Sequence, residues 1–439
     1  MLFFSLHLCA FFYLMHIKIT FLGADNTAYI QAAQSILQYH TFSSMGDMQS
    51  PDNFRTFGFP FVIAVAYLIN PLHYIQLIVI FQIILLYLMF IKIIQSSYML
   101  NLKNKLLLIL PFLFHPELLN LATSLQTEFL YVFTLFFFFF FFLKYIENKK
   151  LRDLLFSALF ISLSLHIKPV YMFFIPVYLI YIFILDKSLK KVLLVLLTIS
   201  IIIAPWIIRN KVTLDTYSFT SSKNFNLLCY AYSIQKAKEN LTDMQAINKV
   251  DALISKRYHI GSNQSMLTLV ASQKNDLIDD IIPKASKEII LNDMKYLPVV
   301  YLKGALRGFY LPHNIYDVAK NNPAHITNII NSIKEGHLSS IFVKDSKLQY
   351  SSIYFFALPV ILNILVLIGF SLFSTLYIFK KSFRNQKSSF ILLFVLYGLA
   401  VAFPWSNNSR YMMAYFPQMA IMFVYSLNFL IRNERKDAN

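Results

Sequence analysis

Long apolar runs separated by short polar breaks make up most of the chain. They lie at about 2–22, 74–95, 105–121, 126–144, 153–166, 169–186, 191–208, 351–379, 388–405 and 411–431. Most approach or exceed the length needed to cross about 30 Å of hydrocarbon as a helix. The pattern predicts an all-α polytopic membrane protein of about ten transmembrane helices. Two shorter apolar stretches, about 58–70 and 297–311, do not fit as crossings and read as juxtamembrane or re-entrant helices. The run Phe136–Phe142 has no polar position at all and reads as a lipid-facing helix without chemistry. Only one long segment departs from the pattern. Residues 210–350 mix Lys, Asp, Asn and Ser with helical patches such as 264–296, and read as a small helical region outside the bilayer. Three parts follow: a transmembrane module over 1–208, the polar region over 209–350, and C-terminal transmembrane helices over 351–439. No internal repeat is visible.

Composition agrees with bilayer as the solvent. Of 439 residues, 57% are hydrophobic and only 14% charged, against roughly 25% charged in an ordinary soluble domain. The net charge of +17 would admit nucleic acid as a partner. Its placement argues otherwise, because the basic residues cluster between apolar runs as a positive-inside signal does. The clusters are Lys103 and Lys105; Lys144, Lys149, Lys150 and Arg152; Lys187, Lys190 and Lys191; Lys380, Lys381, Arg384 and Lys387; and Arg432, Arg435 and Lys436. With all of them cytoplasmic, both termini lie inside. Asp25, Arg55, His115, Glu117, Glu128, His166, Lys168, Arg209 and Arg410 then share the opposite face, together with 210–350. The first apolar stretch lacks a basic n-region and a small-residue cleavage site, so it reads as a retained helix. Cys9 and Cys229 stand far apart without metal-ligand neighbours, so neither a disulfide framework nor a zinc site is expected.

Chemistry-bearing residues sit at the ends of the apolar runs. GADNTAYIQAAQSIL, residues 23–37, places Asp25 where the chain leaves the membrane. That carboxylate suits two roles, an N-cap for the helix that follows or a general base in a site drier than water. RTFGFPFVIAVAYLI, residues 55–69, puts Arg55 ahead of a Gly-Phe-Pro entry into an apolar helix. Glu128 stands at a helix head, where the helix dipole favours an anion. Lys168 precedes Pro169, and APWIIRN, residues 204–210, carries Trp206 and Arg209. Arg410 and Tyr411 open the last apolar run. Taken singly, each cation could be an interface anchor. Four cations and two carboxylates on one outer face suit a site for phosphate and sugar.

The order of these elements resembles the GT-C superfamily of membrane glycosyltransferases, in its bacterial branch of protein mannosyltransferases and lipid A aminoarabinose transferases. The resemblance runs up to about residue 222 and again from about 388; Pro205-Trp206-x-x-Arg209-Asn210 and Arg410-Tyr411 are its most specific parts. It implies a donor sugar on a polyprenyl phosphate and an acceptor that is a lipid, a glycan or a protein. It implies Asp25 and Glu128 as catalytic carboxylates, with Lys168, Arg209 and Arg410 on the donor phosphate. Tyr29, Arg55, His166, Trp206 and Tyr411 would line the substrate pocket. Lys168 stands where many relatives carry Arg, and Asn26 replaces the second acid found in some first loops. No firm cofactor is implied beyond the donor lipid; Asp25 and Glu128 could ligate a divalent metal, but no dense carboxylate cluster argues for one. The expected location is a bacterial inner membrane with the site on the extracytoplasmic side. Two alternatives fit the helix count. A polymerase or ligase of lipid-linked glycans would place its chemistry in a large late loop; a transporter or flippase would show broken helices and repeat symmetry.

Overall fold

The computed structural model describes residue 5 and residues 25–44, 47–102, 115–259, 266, 276–310, 358–402 and 409–437. Within these, side chains are described except at 276–280, 306–310, 402, 409–411 and 432–437. The expected first crossing therefore lies outside the described residues apart from Ser5. The stretch 105–121 is described only from His115.

Fifteen helices and no strand occur among the described residues. They are α1 (Asn26–Tyr39), α2 (Gly58–Ile69), α3 (Tyr74–Met99), α4 (Pro116–Thr123), α5 (Thr127–Asn148), α6 (Leu151–Ile167), α7 (Phe174–Asp186) and α8 (Leu189–Leu214). There follow α9 (Ser222–Glu239), α10 (Asp243–Tyr258), α11 (Asp276–Asn292), α12 (Leu297–Tyr310), α13 (Leu358–Phe379), α14 (Gln386–Ala402) and α15 (Phe416–Asp437). The protein is an all-α membrane protein. Among the described residues α3, α5, α8 and α13 are long and apolar enough to cross a bilayer, and α2, α7, α14 and α15 are shorter apolar helices. The first helices of the polar region have their own core, with Leu228, Tyr232, Val250, Ile254 and Ile282 packed between α9, α10 and α11. Helix α8 continues to Leu214, past the boundary expected at 208.

Tight reversals fix which helix ends meet. Lys149 takes a left-handed conformation (φ 55) and closes α5, and α6 begins two residues later. So short a link forces antiparallel neighbours. Glu128 at the start of α5 is thereby returned to the level of Lys168 at the end of α6. Lys187 (φ 53) turns α7 into α8 in the same way. The other end of α5 gathers lysines from three of the basic clusters. Asp186 accepts from Lys149 (3.1 Å) and Lys191 (3.2 Å), and Lys387 pairs with Glu147 and donates to the Met99 carbonyl (2.8 Å). Helix α5 has 22 residues, so the two ends stand about 30 Å apart.

One expectation is corrected. Phe136, Phe138, Phe139 and Phe142 are wholly buried, so α5 is the central helix and not a lipid-facing one. Phe138 meets Tyr178 (5.1 Å) and Phe394 (5.7 Å) ring to ring, and Phe142 meets Phe390 (4.5 Å). A segment apolar on every side carries no stripe to say which face is covered, and α6, α7 and α14 supply aromatic partners that surround it. Large exposed apolar residues occur instead on helices such as α3 (Ile80, Ile84, Leu88), α8 (Leu193, Leu197, Ile201) and α13 (Ile361, Ile364, Ile368).

Candidate functional site

The site is built at the end of the bundle where α5 starts and α6 stops. Lys168 is extended (φ −147, ψ 119), as a residue before proline prefers, and this ends α6 and turns the lysine aside. Its Nζ donates to Glu128 Oε1 at 2.5 Å. Glu128, 3% exposed, occupies the first turn of α5, where the helix N-terminus adds favourable potential. The adjacent Thr127 hydroxyl donates to Glu128 Oε2 at 3.3 Å.

A second carboxylate–cation pair is carried in by α1 and the segment before α2. Arg55 Nη2 donates to Asp25 Oδ1 at 2.7 Å, and its guanidinium lies over the rings of Tyr29 (5.1 Å) and Phe54 (5.2 Å). Asp25 is the residue before α1, yet its side chain makes no capping bond. Of the two roles open to it from the sequence, the cap is not the one adopted. Tyr29, buried one turn into α1, joins the two pairs. It accepts from Arg55 Nη1 at 3.5 Å and feels the charges of both Asp25 and Glu128. Burial pushes its hydroxyl up to about 12, with both carboxylates acting in the same sense and Arg55 against it. Burial works against the Arg55 charge, but Tyr29, Asp25 and Glu128 outweigh it and hold the guanidinium above its usual value.

Close backbone docking brings the pairs together. The Thr56 hydroxyl donates to the Ile167 carbonyl (2.8 Å). Beside it Gly58 lies against His166, where a Cβ would come within 2.7 Å of the His166 carbonyl oxygen. The Arg-x-x-Gly spacing therefore places a cation and a tight contact on the same short segment. Thr127 belongs to the Thr-Glu pair at a helix start that forms part of the family-like motif order, whereas Thr56 did not stand out in the sequence; Gly58, opening an apolar helix, was its visible signal.

The Pro-Trp-x-x-Arg-Asn element performs a different task. Trp206 Nε1 donates to the Phe219 carbonyl (2.8 Å), and its ring packs on Phe42 (4.9 Å) and Phe57 (5.8 Å). Asn210 Nδ2 donates to the Ser218 carbonyl (2.9 Å). The Arg209 fork donates to the carbonyls of Asp52 (2.7 Å) and Phe42 (3.0 Å) and to Asn210 Oδ1 (2.9 Å). Asp52, buried and overlooked in the sequence, closes the same loop through the Ser44 amide (2.6 Å) and hydroxyl (2.8 Å) and the Phe54 amide (3.1 Å). The motif is thus a clasp that holds residues 42–44, 52–54 and 218–220 in place next to Arg55. His166 also braces: its Nε2 donates to the Ile202 carbonyl (3.0 Å) on α8.

Of the residues singled out in the sequence, Asp25, Tyr29, Arg55, Glu128 and Lys168 come together. Trp206, Arg209 and His166 support them from behind. Arg410 and Tyr411 fall on the turn Ser409–Ala414, but their side chains lie outside the described set. Among the described residues no group of three or more His, Cys, Asp or Glu converges as a metal site. The cluster offers two carboxylates for moving a proton and two cations for an anion, at a helix end near the expected membrane edge.

No family model matches the chain, and no curated protein does. Among solved structures, the crystal structure of ArnT from Cupriavidus metallidurans in the apo state aligns over 96% of this chain and 76% of its own, at 10% identity and a TM-score of 0.39. An overlap that loose carries no argument about activity.

Proposed function

We propose that the protein is an inverting glycosyltransferase that moves a sugar from a polyprenyl-phosphate carrier to an acceptor at the extracytoplasmic face of a bacterial inner membrane. The observation that carries this reading is the meeting of Asp25–Arg55 and Glu128–Lys168 around Tyr29, at the bundle end away from the basic clusters. The positive-inside rule makes that end extracytoplasmic. The resemblance of the motif order to GT-C enzymes supports it.

The chemistry asks little more of the protein. The bond between sugar C1 and phosphate oxygen is already activated. An acceptor hydroxyl attacks C1 from the face opposite the phosphate, and Asp25 takes its proton. The C1–O bond breaks, and the polyprenyl phosphate leaves with the bonding pair. Lys168, Arg55 and Arg410 stabilise the charge growing on that phosphate, as fixed electrostatics in a partly dry site. Arg209, engaged with carbonyls, serves by holding the loop. Glu128 keeps Lys168 charged and aimed. The acceptor, whether lipid, glycan or protein, approaches from the water side, where the helical region over α9–α11 stands. The lipid tail of the donor lies in the bilayer.

The test is direct. Purified protein is incubated with a panel of polyprenyl-phosphate sugars and envelope acceptors, and release of polyprenyl phosphate is followed together with anomeric configuration. Acceptor-dependent release with inversion is expected. Retention of configuration, or uptake of the intact lipid-linked sugar without cleavage, would end this reading.

A further inference from the structure

The two ion pairs of the site are not equivalent. Glu128 and Lys168 are an inner pair, with side chains only 4% and 19% exposed. Asp25 and Arg55 are an outer pair, 35% and 25% exposed. An inner pair is costly to open, because each partner would be left charged and poorly hydrated. The outer pair is only part-buried and open to water on one side, so it costs less to open than the inner one. Asp25 nevertheless accepts the shortest of the Arg55 bonds described, at 2.7 Å, so the carboxylate assigned as base faces a cation and not an acceptor hydroxyl.

The four charged groups also balance, two cations against two carboxylates. A phosphodiester entering such a cluster finds no surplus positive charge among them. Among these four groups it gains a cation to itself only where a carboxylate yields one; Lys168 reaches it while still shared with Glu128. Arg55 is suited to such an exchange, because the faces of Tyr29 and Phe54 carry its guanidinium whichever anion it serves. A guanidinium also presents several parallel donors to phosphate oxygens.

We propose that Asp25 is masked in the resting protein and that the donor's phosphodiester releases it by taking over Arg55, while the Glu128–Lys168 pair stays closed. This rests on the reading of the donor as a polyprenyl-phosphate sugar. Its consequence is an order of events. The base becomes available only after the donor has bound, so an acceptor hydroxyl arriving first meets a carboxylate already engaged.

A binding cycle tests the exchange without turnover. The probe is methyl farnesyl phosphate, a diester with one charge that does not titrate near neutral pH, and binding to the detergent-purified full chain is measured by calorimetry. Removing the competitor in Asp25→Asn should tighten binding by about tenfold, the equivalent of one modest charge-assisted bond. Arg55→Gln should weaken it, with Arg55→Lys in between. In the Arg55→Gln background, Asp25→Asn should change affinity less than about twofold. Equal tightening in both backgrounds would mean simple repulsion by Asp25 and would overturn the exchange; so would unchanged or weaker binding to Asp25→Asn. If no form bound the diester at millimolar concentration, the donor reading itself would fall, and the exchange with it.

Discussion

Gly58 and His166 are in backbone contact: a methyl group on the glycine would sit 2.7 Å from the His166 carbonyl oxygen and 2.9 Å from its carbon. The partner atoms are main chain at the end of α6, so they cannot swing aside as a side-chain tip would. This contact sets the distance between the segment that carries Arg55 and the turn that carries Lys168. Gly58→Ala is therefore expected to destabilise the protein by about 1–3 kcal/mol, as overpacking usually does. It should also lower transfer out of proportion, because it separates the two cations. Thermal unfolding in detergent and an initial-rate assay read the two effects; an alanine variant with unchanged midpoint and rate would show that the contact is slack.

Asp25→Asn keeps the size of the side chain and loses its proton affinity. Transfer is expected to fall by about 10²–10⁴, the usual contribution of a general base, with expression and the thermal midpoint near wild type. Because Asp25 makes no capping bond, the amide costs α1 nothing there. Near-normal turnover by this variant would move the base to Glu128.

Arg209→Lys separates clasp from phosphate ligand. A lysine keeps the charge but cannot span the carbonyls of Phe42 and Asp52 at once. Faster amide exchange over residues 42–54 is expected, with only a secondary loss of donor binding. Weakened binding with the loop's exchange unchanged would restore Arg209 to the donor phosphate.

Phe138→Ala tests the central place of α5. Phe138 is wholly buried, whereas Ile201 on α8 is 63% exposed. The first substitution should cost about 3–5 kcal/mol; Ile201→Ala should fall within about 0.5 kcal/mol of wild type. Similar small effects at both positions would return the phenylalanine run to the lipid surface.

Sidedness is tested by labelling single cysteines in a chain with Cys9 and Cys229 replaced by serine. Thr27 beside the site and Lys150 at the basic end are both exposed. A membrane-impermeant thiol reagent should reach position 27 only from outside the cell and position 150 only from the cytoplasm. Cytoplasmic labelling at 27 would place the site on the wrong face for an extracytoplasmic donor.

The run of apolar segments by itself determined that this chain is helical and built for a bilayer, because apolar length and polar breaks are local properties. The order of Asp25, Arg55, Glu128 and Lys168 was legible too, since each sits where a helix starts or stops. Pairing was not. Asp25 could have capped α1, and only the packing of Arg55 over Tyr29 shows that it turns to the guanidinium instead. Arg209 and Trp206 read as ligands in a motif, yet their partners are carbonyls up to 167 positions away, which no local pattern encodes. The phenylalanine run is the extreme case: identical on every face, it leaves burial entirely to the neighbours that surround it. What the tertiary structure decided is which end of each helix meets which. Two reversals of a residue or two, at Lys149 and Lys187, carry that decision by forcing antiparallel contact.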